Sequence, residues 1–170
     1  VNLMEIERKF DLKTNSIKGI LNDKIFFLDY YDRLIDKKVV KSVSNQDFKA
    51  SLPEEVIQEY IMNKLDLMNE HKLAIANIIN FYLKNPKFFL ISLKSSKTSI
   101  ELYLNNFYFT KGILQRKLLE KALLVVILLA VKKWLYEDNS NNISFALIDK
   151  GIKRIKKSTN LFDAISKSKA

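Results

Sequence analysis

Apolar residues recur along this chain at the three- and four-residue spacing of amphipathic helices almost from end to end. Leu3–Phe10 predicts a short helix that Asp11–Lys13 breaks. A second can begin at Thr14 or Asn15, both good N-cap residues, and end near Leu21. Asn22 and Asp23 then cap a long helix to Val40 or beyond, with Phe27, Tyr31 and Leu34 along one face. The polar stretch Ser42–Lys49 reads as a linker.

Ser51-Leu52-Pro53-Glu54 has the form of a capping box with proline in the first turn. Val56, Ile57, Tyr60, Ile61 and Leu65 form the inward stripe of the helix behind it, which ends near Asn69. Lys72–Leu83 is the next helix, stopped by Asn85–Pro86. Phe88, Phe89, Ile91 and Leu93 give a short apolar helix, a break is expected within Ser92–Ser99, and Thr98–Phe109 turns helical again. The longest element runs from about Thr110 to Tyr136, before the polar Asp138–Asn142. Ile143–Lys157 follows, with Phe145, Ile148, Ile152 and Ile155 facing inward, and the tail Ser158–Ala170 keeps an apolar cluster at Leu161, Phe162, Ala164 and Ile165. The pattern predicts an all-α fold and no strand; the β-branched run Val125-Val126-Ile127 sits between strong helix formers. Ala122–Val131 is apolar on every side, so it must be covered all round, either at the centre of a monomeric bundle or by a second copy of the chain.

Composition narrows the chemistry. The 170 residues fit one globular domain, or one domain with a small appendage. Three widely separated glycines, Gly19, Gly112 and Gly151, cannot build a phosphate-binding loop. The absence of cysteine excludes disulfides, thiolate metal sites and cysteine nucleophiles, and the single histidine, His71, excludes a multi-histidine site. No nucleophile–base pair is discernible, and Glu54, Glu55 and Asp138 have capping explanations near helix ends. The expectation is a protein that is not an enzyme and has no cofactor beyond a bound lipid or isoprenoid. The 29 basic residues against 19 acidic ones leave a net charge of +10, which invites nucleic acid or an anionic membrane, or reflects the lysine-rich usage of an AT-rich genome. Val1–Phe10 has no apolar signal core, and Ala122–Val131 is far shorter than a bilayer span, so a cytoplasmic location is expected, peripheral at the inner membrane if a membrane is the partner.

Two resemblances give these elements a family setting. Asp11 to Lys24 (Asp-Leu-Lys-Thr-Asn-Ser-Ile-Lys-Gly-Ile-Leu-Asn-Asp-Lys) resembles the stretch of TetR-type proteins from the helix-turn-helix turn to the start of the linking helix. Lys18, Ile20 and Leu21 stand where that family has an aromatic cluster, and Val1 falls at the start of what would be its second helix. Farther on, Tyr108-Phe109-Thr110-Lys111, then Lys133-Trp134-Leu135-Tyr136-Glu137-Asp138-Asn139-Ser140, then Phe145 to Ile152 resemble, in order, runs of the ubiquinone-biosynthesis accessory proteins (coenzyme Q protein nine and its alphaproteobacterial relatives). The likeness covers about residues 50–157. It departs at Gly112, where the family has arginine, and at Leu104-Asn105-Asn106, where it has an acidic loop.

The resemblance implies a TetR-like helical bundle that binds lipid in its body and assists a hydroxylase of the ubiquinone pathway. Residues 1–43 would be a degenerate helix-turn-helix plus linking helix, 51–157 a ligand-binding and dimerisation body, and 158–170 a basic amphipathic tail. The expected lipid-lining residues are Tyr82, Phe88, Phe89, Leu93, Tyr103, Phe109, Leu114, Leu118 and Trp134, which plain core packing would also explain. Tyr108, Thr110 and Lys111 would form the partner patch. Lys153, Arg154, Lys156 and Lys157 beside Leu161, Phe162 and Ile165 can dock on anionic lipid or form a solvated face. The helices around Ala122–Val131 and Ile143–Lys157 are expected to pair with their symmetry mates in a homodimer. The alternative is a TetR-family DNA-binding transcriptional regulator with an apolar effector pocket, using Thr14, Asn15, Ser16 and Lys18 on DNA, although no arginine stands there.

Overall fold

A computed structural model describes residues 24–43, 51–84, 86–109, 112–138, 140–158 and 161–167. The expected helices at 3–10 and 14–21, and with them Thr14, Asn15, Ser16 and Lys18, lie outside the described residues, as do Thr110 and Lys111. The architecture is all-α: α1 (Lys24–Ser42), α2 (Pro53–Asn69), α3 (Lys72–Leu83), α4 (Pro86–Leu104), α5 (Ile113–Trp134) and α6 (Asn142–Ser158). Among the described residues, no helix is long and apolar enough to cross a membrane.

The predicted stripe of α2 is its buried face, with Val56, Ile57, Tyr60, Ile61 and Leu65 all inside the core. Each such burial contributes on the order of 1.5–3 kcal/mol. The N-cap is Leu52, one residue later than the expected Ser51. The Glu55 carboxylate accepts the Leu52 N–H at 2.7 Å, so only the acidic half of a capping box operates. On α1 the buried line is Ile35 and Val39, continued just past its end by Val43, whereas Leu34 is exposed and Tyr31 only partly buried. The expected face is therefore rotated, because Asp36 belongs to the buried side.

α5 and α6 make the most extensive helix–helix contact among the described residues. Their connection is organised by hydrogen bonds. The Glu137 carboxylate accepts the Ile143 and Ser144 N–H groups at 2.8 and 3.1 Å, capping α6. Asn141, fully buried at φ 56°, donates its side-chain amide to Asp66 at 2.6 Å and so ties this turn to α2. Trp134, also fully buried, donates its indole N–H to Asn69 at 2.7 Å, with the Lys72 ammonium 5.1 Å from the ring centre. Ile148, Ile152 and Ile155 of α6 are buried, as predicted.

Two expectations are corrected. α4 is one unbroken helix through Ser92–Ser99. Its serine and threonine side chains bond back to the helix, as in Thr98 to the Lys94 carbonyl, or across to α1, so they do not interrupt the backbone. The region after Leu104 leaves the helix: Phe107–Phe109 pairs antiparallel with Ile165–Lys167 as a two-stranded ribbon, β1 and β2. The tail thus folds back, and Phe162 is buried in the core beside α5.

Gly151 lies where α6 meets α5. A Cβ there would stand 2.7 and 2.9 Å from the Val126 methyls, and a valine in a helix is held to one rotamer. Gly151→Ala should therefore destabilise by about 1 kcal/mol, because overpacking of ~1–3 kcal/mol exceeds the roughly 1 kcal/mol gained in helix propensity. Urea unfolding should also show that adding Val126→Ala costs less in the Gly151→Ala background than in the wild type. A stabilised Gly151→Ala protein would rule out this close approach.

Candidate functional site

Three helices converge on a charged group in which Asp36 is buried and Asp32 and Lys64 are partly buried. Asp32 and Asp36, one turn apart, share a face of α1; Lys64 occupies a position within the inward face of α2; Ser95, Ser99 and Tyr103 recur at one-turn intervals on α4. The Lys64 ammonium lies 2.8 Å from Asp32 Oδ1, 2.8 Å from Asp36 Oδ1 and 2.8 Å from Ser99 Oγ. The Ser95 hydroxyl donates to Asp32 Oδ2 at 2.7 Å, Ser99 to Asp36 Oδ2 at 2.7 Å, and Tyr103 to Asp36 Oδ1 at 2.7 Å. Tyr103 also stacks on Tyr60, with ring centres 5.0 Å apart.

Electrostatics follow from this geometry. Burial alone would lower the Lys64 pKa, but the two facing carboxylates outweigh it and hold the ammonium above the ordinary lysine range. Burial would raise the Asp32 pKa, and here Lys64 and the serine hydroxyls win, leaving it below the ordinary carboxylate value. Burial and the Asp36 carboxylate drive the Tyr103 hydroxyl upward, so it remains a donor.

This group forms one end of a half-open cavity of about 450 Å³ bounded by α1 to α5. Ile61, Leu65 and Met68 of α2 and Ile75, Ile78 and Ile79 of α3 supply apolar walls. Phe89 and Tyr103 of α4 and Ile127, Leu128 and Val131 of α5 close it, while Asp32, Lys64, Ser95 and Ser99 face it from the charged end. Tyr31 also lines it, and its hydroxyl is buried without a hydrogen-bond partner. A second, open groove between α2 and α6 is rich in carboxylates, and most are engaged: Glu54 pairs with Lys156, Asp149 with Lys153, Glu55 accepts the Leu52 N–H and Asp66 accepts from Asn141.

Of the expected lipid-lining residues, Phe89 and Tyr103 face the cavity. Leu93 is partly buried outside its wall, and Trp134 belongs to the adjoining core. Leu114 and Leu118 are corrections. They are exposed, because the cavity side of α5 is the line Ile127, Leu128, Val131 and Leu135, whereas Leu114 and Leu118 point away. The backbones of Tyr82 and Phe88 lie in α3 and α4 and those of Tyr108, Phe109 and Ile165 in the ribbon; their side chains are outside the description. Phe162 is unsuited to meeting a membrane, being core, and Lys153 and Lys156 are ion-paired, while all four basic residues of that set are exposed on α6. The charged group itself was missed. Its signals were a lysine inside an apolar stripe, a one-turn carboxylate pair, and serines 92, 95, 96 and 99 at helical spacing. Among the described residues, no cluster of three or more His, Asp or Glu side chains is arranged to hold a metal ion.

Comparison with protein-family models, with curated proteins and with solved structures finds no match to this chain.

Replacing Lys64 by Met should cost about 3–5 kcal/mol, since it leaves two carboxylates facing each other without their cation. The wild type should keep the full contribution of this group between the ordinary carboxylate and lysine values, 3.8 and 10.5. It loses it as pH falls through the depressed Asp32 pKa or rises through the elevated Lys64 pKa. In Lys64→Met the acid side reverses: without the ammonium, burial makes Asp32 take up a proton more readily when folded, so acidification narrows the deficit. Chemical denaturation across pH checks both signs. A flat difference between the two proteins would contradict the assignment.

Proposed function

We propose that this chain is a binding protein for a small molecule with an apolar body, held in the cavity between α1 and α5. In the fuller reading it is a TetR-like accessory protein of ubiquinone biosynthesis that presents an isoprenoid or acyl lipid to a partner hydroxylase. The observation that carries the binding reading is the cavity itself. Its volume of about 450 Å³ lies inside the roughly 300–1,000 Å³ range of small-molecule sites, with mostly aliphatic walls and a few convergent polar groups. The fuller reading draws on the resemblance of the runs at 108–111, 133–140 and 145–152 to that accessory family. The partner patch would then lie at and just after β1, around Tyr108, Thr110 and Lys111, and the exposed basic face of α6 would sit toward an anionic membrane surface.

A homodimer is part of the proposal. Val125 and Leu129 are 56% and 50% exposed on α5 and continue the line of Leu114 and Leu118 at helical spacing. A ridge of this kind on one helix is more apolar than a solvated helix face needs. Its spacing of four and seven residues suits packing against the same ridge of a second copy.

Two outcomes are expected. Leu128→Trp places a bulky ring in the cavity wall and should abolish copurification of an isoprenoid or acyl lipid, read by mass spectrometry of organic extracts, with helix content unchanged. Equal lipid in both proteins, or none in the wild type, counts against the reading. Separately, Val125→Lys with Leu129→Lys should convert a dimer to a monomer in sedimentation at micromolar concentration, and a wild-type monomer there would remove the dimer.

A further inference from the structure

The charged end of the cavity has spent its own hydrogens. Lys64 directs its ammonium to Asp32, Asp36 and Ser99, and the hydroxyls of Ser95, Ser99 and Tyr103 all donate to the same two carboxylates. What this end still offers a ligand is acceptor capacity: the cavity-facing Asp32 carboxylate and the lone pairs of Ser95 and Tyr103. Two carboxylates against one ammonium also leave it formally negative. The other lysine on the cavity wall, Lys132, is exposed, where water screens its charge, and sits on α5.

We propose that the molecule held in this cavity carries a protonated amine at the end of its apolar body, the ammonium meeting Asp32 and Ser95 while the chain lies along the isoleucines of α2 and α3. The proposal rests on the cavity being a binding site and adds the chemistry of the head group. An anionic head, carboxylate or phosphate, is repelled by Asp32 and meets only the neutral hydroxyls of Ser92 and Ser96 and the exposed Lys132 as donors, and a neutral hydroxyl head satisfies the acceptors without balancing the charge.

The test compares octylamine, octan-1-ol and octanoate, which share one apolar chain, by titration calorimetry on the full chain below their aggregation concentrations. Octylamine should bind at least about tenfold more tightly than octanoate, with octan-1-ol between them. Asp32→Asn removes the negative charge at nearly constant shape and should bring the three within about threefold of each other, with octan-1-ol affinity kept as the check that the cavity is intact. The wild-type ranking is decisive even if that variant folds poorly. Octanoate binding as well as octylamine overturns the head-group inference and leaves the cavity standing. Failure of all three to bind overturns the cavity reading with it.

Discussion

The ammonium of Lys64, held between Asp32 and Asp36, is the interaction on which the described bundle depends. It brings α1, α2 and α4 to one point. None of these charges is tolerable in the core alone: an isolated buried ion costs several kcal/mol, and the carboxylates become acceptable only with the ammonium and the hydroxyls of α4 around them. Specificity follows from that cost. Aliphatic side chains let helices slide and rotate against one another, but a lysine that must find two carboxylates and a serine within 2.8 Å admits one arrangement. A cavity lies beside the group, with Asp32, Lys64, Ser95 and Ser99 on its wall.

Much of the helical layout was legible because its cause is local. The stripe of α2, the limits of α3 at Lys72 and Leu83, and the inward isoleucines of α6 all follow from spacing and end signals that a short window contains. What escaped has non-local causes. The serines of α4 read as a break because isolated serine favours turns; their carboxylate partners, Asp32 and Asp36, are reached only once α1 and α4 meet. Strand β1 needs β2, far along the chain, and Phe162 needs α5 to cover it. The face of α1 was misjudged for a related reason: Asp36, polar by composition, is buried by its contacts.

The candidate site was legible only by its apolar half. Phe89 and Tyr103 could be anticipated as wall residues because large side chains in the middle helices must go somewhere. Leu118 could not be separated from them without knowing which side of α5 faces inward, since an evenly apolar helix gives no orientation signal. That evenness also divides the labour of α5: one side closes the cavity through Leu128 and Val131, while the other leaves Val125 and Leu129 exposed.

The central claim is that a small apolar-bodied molecule occupies the space between α1 and α5. It is tested most directly by methyl NMR of isoleucine-labelled protein during titration with an octyl-chain amphiphile. The account predicts shifts at Ile61, Ile75, Ile78, Ile79 and Ile127, which line the cavity, with Ile113 and Ile143 on the exposed surface unmoved. Shifts confined to Ile113 and Ile143, or none at the cavity residues at saturating ligand, would contradict it.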